Sequence, residues 1–249
     1  MKKFFESLAN VWKIEELKNR ILWTLGLLVV YRFGAHVTLP GIDATQLSNL
    51  AGQTKDGIGS ILDMFTGGSF SKASVFALGI MPYISASIVV QLMGIAIPYL
   101  QKLQKDGESG RKKINQITRW LTIGITLVQG PGYIYNLYRT LPSNAFILGF
   151  DSFSFLFSSV LILTTGTIFA MWLGEKITDK GIGNGISLLI MVGILARLPQ
   201  AFIQEFTSTI TNNNGGPMIL VLEVIGWLLV IIACVLLVMA IRRIPVQYA

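Results

Sequence analysis

Residues 73–100 contain no formal charge, a run of 28, against the roughly 20 residues that an α-helix needs to cross a bilayer core. The run is not uniformly apolar. Its centre, FALGIMPYISASIVVQ over residues 76–91, mixes Gly79, Ser85, Ala86 and Ser87 with branched side chains, and Pro82 lacks a backbone donor. Ile80 and Ile84 stand four apart, so in a helix they project from one face. The stretch reads as a wall with a slim, partly polar side and a side bearing two apolar stubs, and it faces something other than lipid.

Composition agrees with that reading. Hydrophobic residues make up 52% of the chain and charged residues 13%, and several other apolar runs exceed what a soluble core helix requires, which indicates an all-α polytopic membrane protein. The net charge of +7 would suggest a nucleic-acid partner in a soluble domain. In a membrane protein it is first sorted by side. Cys234 is the one cysteine and lies in an apolar run, which excludes a disulfide and a cysteine metal site. Residues 1–20 lack a continuous apolar core and a full span follows, so no cleavable signal peptide is expected.

Along the chain, Phe4, Phe5, Leu8, Val11, Trp12 and Leu17 recur at helical spacing among Lys3, Lys13 and Lys18. Residues 1–20 therefore form an amphipathic cytoplasmic segment, lying either in the membrane interface or against partner protein. The first span is expected over 21–39, with Arg32 and His36 near its far end. An arginine there either snorkels and caps a neighbouring helix or marks a functional site. Beyond Pro40 the chain turns polar, and SILDMF is too short to span. It is either a half-helix dipping back from the outer side, hinged at Gly67 and Gly68, or an ordinary outer-loop helix.

The wall is followed by QKLQKDGESGRKKINQITR, read as a loop carrying six basic residues against two acids. A third span over 120–138 carries Thr122, Thr126 and Gln129 and is expected to break at the GPG of residues 130–132. A fourth covers 152–174, a fifth 186–197 and a sixth 218–241, with Glu223 near the outer end of the last. Ile186 and Ile190 repeat the four-residue spacing of Ile80 and Ile84. Gly181, Gly183 and Gly185 do not form a dinucleotide fingerprint, since no strand precedes them and a span follows. With the N-terminus inside, 15 of the 20 Lys and Arg residues fall on cytoplasmic segments, which predicts six spans with both ends cytoplasmic. No cluster suits a metal or a nucleophile, so neither an enzyme nor a cofactor is expected.

YRFGAHVTLPGID, FTGGSFSKASVFALGIMPYISASIVVQL, DGESGRKKINQITR, WLGEKITDKGIGNGISLLI and RRIPVQYA together, in this order, resemble the N-terminal part of the bacterial SecY family of protein-secretion channels. That family has ten spans, of which this sequence would supply the first six: 21–204 would be the N-terminal half of the channel and 205–249 the sixth span with the start of a cytoplasmic loop. The resemblance implies a pore ring to which Ile80, Ile84, Ile186 and Ile190 contribute. It also implies a plug over about 58–66 with Ile58, Ile61, Leu62, Met64 and Phe65, and a lateral gate lined by Gln91 and Gln129. Arg242 and Arg243 would begin the loop that meets the SecA motor or the ribosome. The implied partners are SecE and SecG, with unfolded preproteins as cargo and membrane lipids around, in the bacterial cytoplasmic membrane. The alternative is half of a secondary transporter, which would explain Pro82 and the glycine breaks but requires a charged or ion-coordinating cluster near the midplane.

Overall fold

The computed structural model describes residues 12–47, 58–147, 153–211 and 216–240. Its contacts divide the chain into two units, Met1–Arg197 and Leu198–Ala249. Regular structure among the described residues is helical, with only two isolated bridges, Thr38 to Ser74 and Ile42 to Phe146. The helices are α1 (Glu15–Gly34), α2 (Ile58–Phe65), α3 (Met81–Ala96), α4 (Pro98–Lys105), α5 (Gly107–Thr140), α6 (Phe153–Lys180), α7 (Gly185–Thr211) and α8 (Gly216–Met239).

In the first unit α1 starts earlier than the apolar pattern indicates. Glu15 and Glu16 occupy its first turn, where the helix dipole favours acids, and Arg20 pairs with Glu16 at 2.9 Å one turn on. Phe4, Phe5, Leu8 and Val11 of the expected amphipathic segment lie outside the described residues.

The wall is helical only from Met81, because Pro82 fits the first turn of a helix but clashes with the carbonyl four residues before it. Residues 66–80 instead form a chain of turns held to the end of the first span. Leu39 donates its N–H to the Ala73 carbonyl at 2.8 Å, and Val75 donates to Val37 at 2.9 Å.

A second proline ends the wall. Ile97 precedes Pro98 and is extended (φ −102°, ψ 116°), as the residue before proline must be, and α4 leaves α3 at 103°. The basic stretch read as a loop is thus mostly helix, forming α4 and the start of α5.

The GPG of residues 130–132 does not break the third span. Helix α5 runs unbroken from Gly107 to Thr140 with Pro131 inside it, and Gly130, Tyr133, Ile134 and Leu137 on either side of the proline are buried, which holds the helix in the fold despite the one missing donor. Its threonines are equally self-contained. Thr118 donates its hydroxyl to the Ile114 carbonyl, Thr122 to Thr118 and Thr126 to Thr122, so three hydroxyls enter the packed interior already satisfied.

Helix α5 packs against α3 and α6, and α1 against α6. One core gathers Leu39, Ala77, Ile134, Leu137 and Leu163, and a second gathers Tyr31, Phe76, Ile80, Leu173 and Leu189. Tyr133 is buried in the first core and donates its hydroxyl to the Phe70 carbonyl at 2.7 Å. Tyr133→Phe removes one of two hydrogen bonds to the Phe70 carbonyl, which keeps the Ala73 N–H at 3.3 Å, so an unfolding curve measured in detergent should show a loss of about 0.5–1.5 kcal/mol.

Among the described residues, three helices are long and apolar enough to cross a bilayer: α6, Gly185–Thr209 of α7, and Met218–Met239 of α8; the bent pair of α3 and α4 would make a fourth. Helix α1 has only 11 residues between Arg20 and Arg32, and the charge-free 19 residues of α5 (120–138) are diluted by Thr, Gln, Gly, Pro and Asn. Helix α7 continues to Thr211 instead of ending at Arg197, because that charge is carried into an ion pair, described below, and does not end the apolar stretch.

In the second unit, α8 is apolar all round apart from Glu223 near its start, and nothing in Met218–Met239 is buried. A helix of that composition belongs in lipid or against other membrane helices.

Candidate functional site

The four isoleucines singled out by spacing lie on two elements of the first unit. Ile80 is the residue just before α3, and Ile84 donates its N–H to the Ile80 carbonyl at 3.1 Å, so the two stand one helical turn apart. Ile186 and Ile190 are one turn apart on α7. Ile80, Ile84 and Ile190 line a single void with Tyr31, Phe65, Thr66 and Met81; its volume is about 10 Å³, at the limit of what one water occupies. Ile186 packs into the same apolar cluster as Ile80 and Ile84, with its side chain against Gly174. Ile80 itself is 4% exposed, whereas Ile84, Ile186 and Ile190 are half-buried.

Phe65 ends α2 and Thr66 follows it directly, which places the end of that short helix beside the void. Ile61, Met64 and Phe65 are exposed and Leu62 is half-buried; Ile58 opens the helix. An isolated helix of eight residues is far below the length that is stable in water, so tertiary contacts must hold it. They gather at its C-terminal end, where the chain reverses through Gly67 (φ 65°) and Gly68 (φ 91°), a left-handed conformation that glycine adopts without strain.

A Cβ on Gly67 would lie 2.8 Å from Gly193 of α7, so the two backbones pass in contact. Arg32 of α1 donates from Nη1 to the Gly67 carbonyl at 2.9 Å. Arg32 thus caps the turn after α2, one of the two roles open to it. Asp63, 3% exposed, pairs with Arg197 of α7 at 2.5 Å and accepts from the Ser71 N–H at 2.8 Å and the Ser71 hydroxyl at 2.9 Å.

Sequence reasoning did not single out Asp63 or Arg197. The available signal was Asp63 itself, the one acid in an otherwise apolar eight-residue helix.

The two glutamines do not converge. Gln129 lines a cavity of about 420 Å³ with Leu62, Thr66, Phe70, Ser85 and Asn136. Gln91 lies further along α3, exposed, and donates to the Ser87 hydroxyl at 3.2 Å. Arg242 and Arg243 lie outside the described residues. No group of three or more His, Cys, Asp or Glu side chains is placed to hold a metal among the described residues.

Fold and site together define a membrane-embedded protein, helical throughout its described regular structure, in which the end of a short helix borders a small apolar void. The chain belongs to the SecY family, whose model matches residues 74–249. It is 42% identical to the protein translocase subunit SecY of Buchnera aphidicola subsp. Schizaphis graminum over 100% of this chain and 56% of that one. It is 48% identical to the SecY of Escherichia coli K12 over 75% of this chain and 42% of that one. The chain therefore spans about half the length of the curated relatives it matches.

Two solved structures share the fold. One is the Sec61 of a canine ribosome-channel complex from the endoplasmic reticulum, with TM-score 0.57 and 20% identity, covering 92% of this chain and 49% of that chain. The other is a protein-conducting channel, with TM-score 0.54 and 22% identity, covering 80% and 42%.

Proposed function

We propose that this chain forms the wall, neck and plug of a protein-conducting channel subunit in the bacterial cytoplasmic membrane. Unfolded secretory polypeptides would cross through it, and apolar segments of membrane proteins would leave it sideways into lipid. The observation that carries this reading is the meeting of Phe65, at the end of α2, and Thr66 just after it with Ile80, Ile84 and Ile190 around a space that scarcely admits water.

An extended chain crossing lipid would leave backbone groups unpaired at several kcal/mol each, and a wet path removes that penalty. An idle path must still hold back ions. A narrow apolar constriction does so by dewetting, and α2 lying over the neck adds a mechanical seal. Branched side chains offer no sticky site, which suits a passage used by many sequences.

Six spans, α1 and α5 among them, with a cytoplasmic N-terminus follow from the charge distribution. SecE and SecG as companions, and SecA or a ribosome docking at Arg242 and Arg243, follow from the family, as does a further set of spans completing the ring. Gln91 and Gln129 would flank the lateral seam. The chemistry is passage alone, without catalysis.

Cysteine cross-linking tests the path. With a translocating polypeptide arrested in the complete channel complex, Ile84→Cys and Ile190→Cys should form adducts to a cysteine in that polypeptide. Val128→Cys, on the 78% exposed outer face of α5, should not. Adducts at 128 with none at 84 or 190 would place the path elsewhere. For orientation, Ser143→Cys should react with an impermeant maleimide on intact cells and Lys105→Cys only after permeabilisation; the reverse pattern would invert the topology.

A further inference from the structure

Ile186, Ile190, Gly193 and Arg197 are spaced four, three and four residues apart on α7, which puts them in one stripe along the helix. The stripe carries three kinds of contact in succession: neck residues, then the glycine against which Gly67 lies, then the guanidinium that pairs with Asp63. On this basis, and resting on the channel reading above, we infer that the Asp63–Arg197 pair, bridged by Ser71, is the latch that holds α2 seated, and that α7 couples release of α2 to widening of the neck.

The bonding around Asp63 supports a latch more than a surface ion pair. Its carboxylate takes the Arg197 guanidinium, the Ser71 N–H and the Ser71 hydroxyl, while Arg197 Nη2 donates to that same hydroxyl at 3.2 Å. The Asp63 side chain is 4% exposed and that of Arg197 36%, so the acid is enclosed and the base lies at the rim. Removing either charge leaves the other unpaired, and an enclosed charge without its partner is strongly disfavoured.

The pair adds a charged contact to the backbone approach of Gly193 to Phe65 and Gly67. Helix α2 is short, presents Ile61 and Met64 outward, and is followed by the reversal at Gly67 and Gly68. Displacing α7 outward draws Arg197 from Asp63 and Gly193 from Gly67 together, so the seal and the neck respond to one motion. Arg32 and Lys72 complete the setting: Arg32 holds the Gly67 carbonyl, and burial, with Arg32 and Arg197 nearby, keeps the Lys72 amine below its usual range. The site therefore carries more positive than negative charge, and Asp63 is the carboxylate that Arg197 needs.

The test is resting ion conductance of the purified complete channel complex in planar bilayers, normalised to folded protein. Asp63→Asn and Arg197→Gln should each raise conductance roughly tenfold, discounted for the partly exposed arginine. The double variant should leak no more than either alone, because the pair acts as one unit. Arg197→Lys, which keeps the charge, should restore most of the seal. In a channel lacking residues 58–65, Arg197→Gln should add nothing further, an outcome that a merely structural arginine would not produce.

If Arg197→Gln does not assemble, Ser71→Ala, which retains both charges but loses the bridging hydroxyl, should give a smaller leak of the same kind. Tight bilayers from well-folded Asp63→Asn and Arg197→Gln channels overturn the latch, as does an additional leak from Arg197→Gln without α2. A paired control separates the two ideas. If the Ile84→Ser, Ile190→Ser channel leaks while the latch variants stay tight, the channel reading stands and the latch falls; if the isoleucine variant is also tight and polypeptide adducts are missing, the channel reading itself falls.

Discussion

Replacing Ile84 and Ile190 together by serine should turn the closed channel into one that leaks ions while the protein remains folded. Both side chains face the void of about 10 Å³ beside Phe65 and Thr66. Exchanging two branched apolar groups for hydroxyls makes that neck wider and wetter, so it no longer excludes water and ions. Ile84 and Ile190 suit the experiment better than Ile80, which is buried among Tyr31, Phe76 and Leu173. Truncation of Ile80 would create a cavity as well as change the neck, at about 2–5 kcal/mol for a core Ile→Ala change.

For half-buried residues the transfer loss is smaller, on the order of 1–2 kcal/mol each. Single-channel recording with a parallel unfolding curve reads both quantities. A well-folded double variant with added conductance supports the ring. A tight bilayer with a lowered unfolding midpoint would show that Ile84 and Ile190 are ordinary packing residues.

The second large effect is expected at Gly166, in a helix that carries none of the proposed site. A Cβ there would sit 2.2 Å from the Val75 carbonyl oxygen and 3.1 Å from the Val75 carbonyl carbon. The obstacle is backbone, and it cannot retreat easily, because the Val75 N–H is already given to Val37 at 2.9 Å. Gly166→Leu should therefore lower stability by about 3 kcal/mol, the upper end for overpacking, and the midpoint by roughly 6–12 °C for a chain of this size. Gly124 provides the contrast. It lies within α5 with nothing inside 4 Å of an added Cβ, so Gly124→Ala should be neutral or stabilising by up to about 1 kcal/mol. Equal losses at the two glycines would mean that the close approach of α6 to residue 75 contributes nothing.

Apolar run length and charge placement are properties of the chain itself, and they sufficed for the class: an uncharged stretch such as 73–100, or the lipid-compatible 218–239, has few folded alternatives to a membrane. The four-residue spacing of the isoleucine pairs was legible for the same reason, since a helix converts sequence interval directly into shared face. The local departures arose where a neighbour decided. Pro131 reads as a break in isolation, yet α5 continues because the residues on either side of it, Gly130, Tyr133 and Ile134, are packed into the fold.

Residues 76–80 form turns and not helix, and Gly79 (φ 55°) is the one local sign of it. Pro82 and the hydrogen bonds between 37–39 and 73–75 impose it. Arg197 reads as the end of a span because a lone charge is costly in lipid, but an aspartate 134 positions earlier in the chain accepts it, and the helix runs on. Local pattern determined which segments could be helices and which faces were apolar. Only the tertiary structure decided that Asp63, Ser71 and Arg197 meet, because a buried ion pair depends on a distance across the fold, and no interval along the chain encodes that distance.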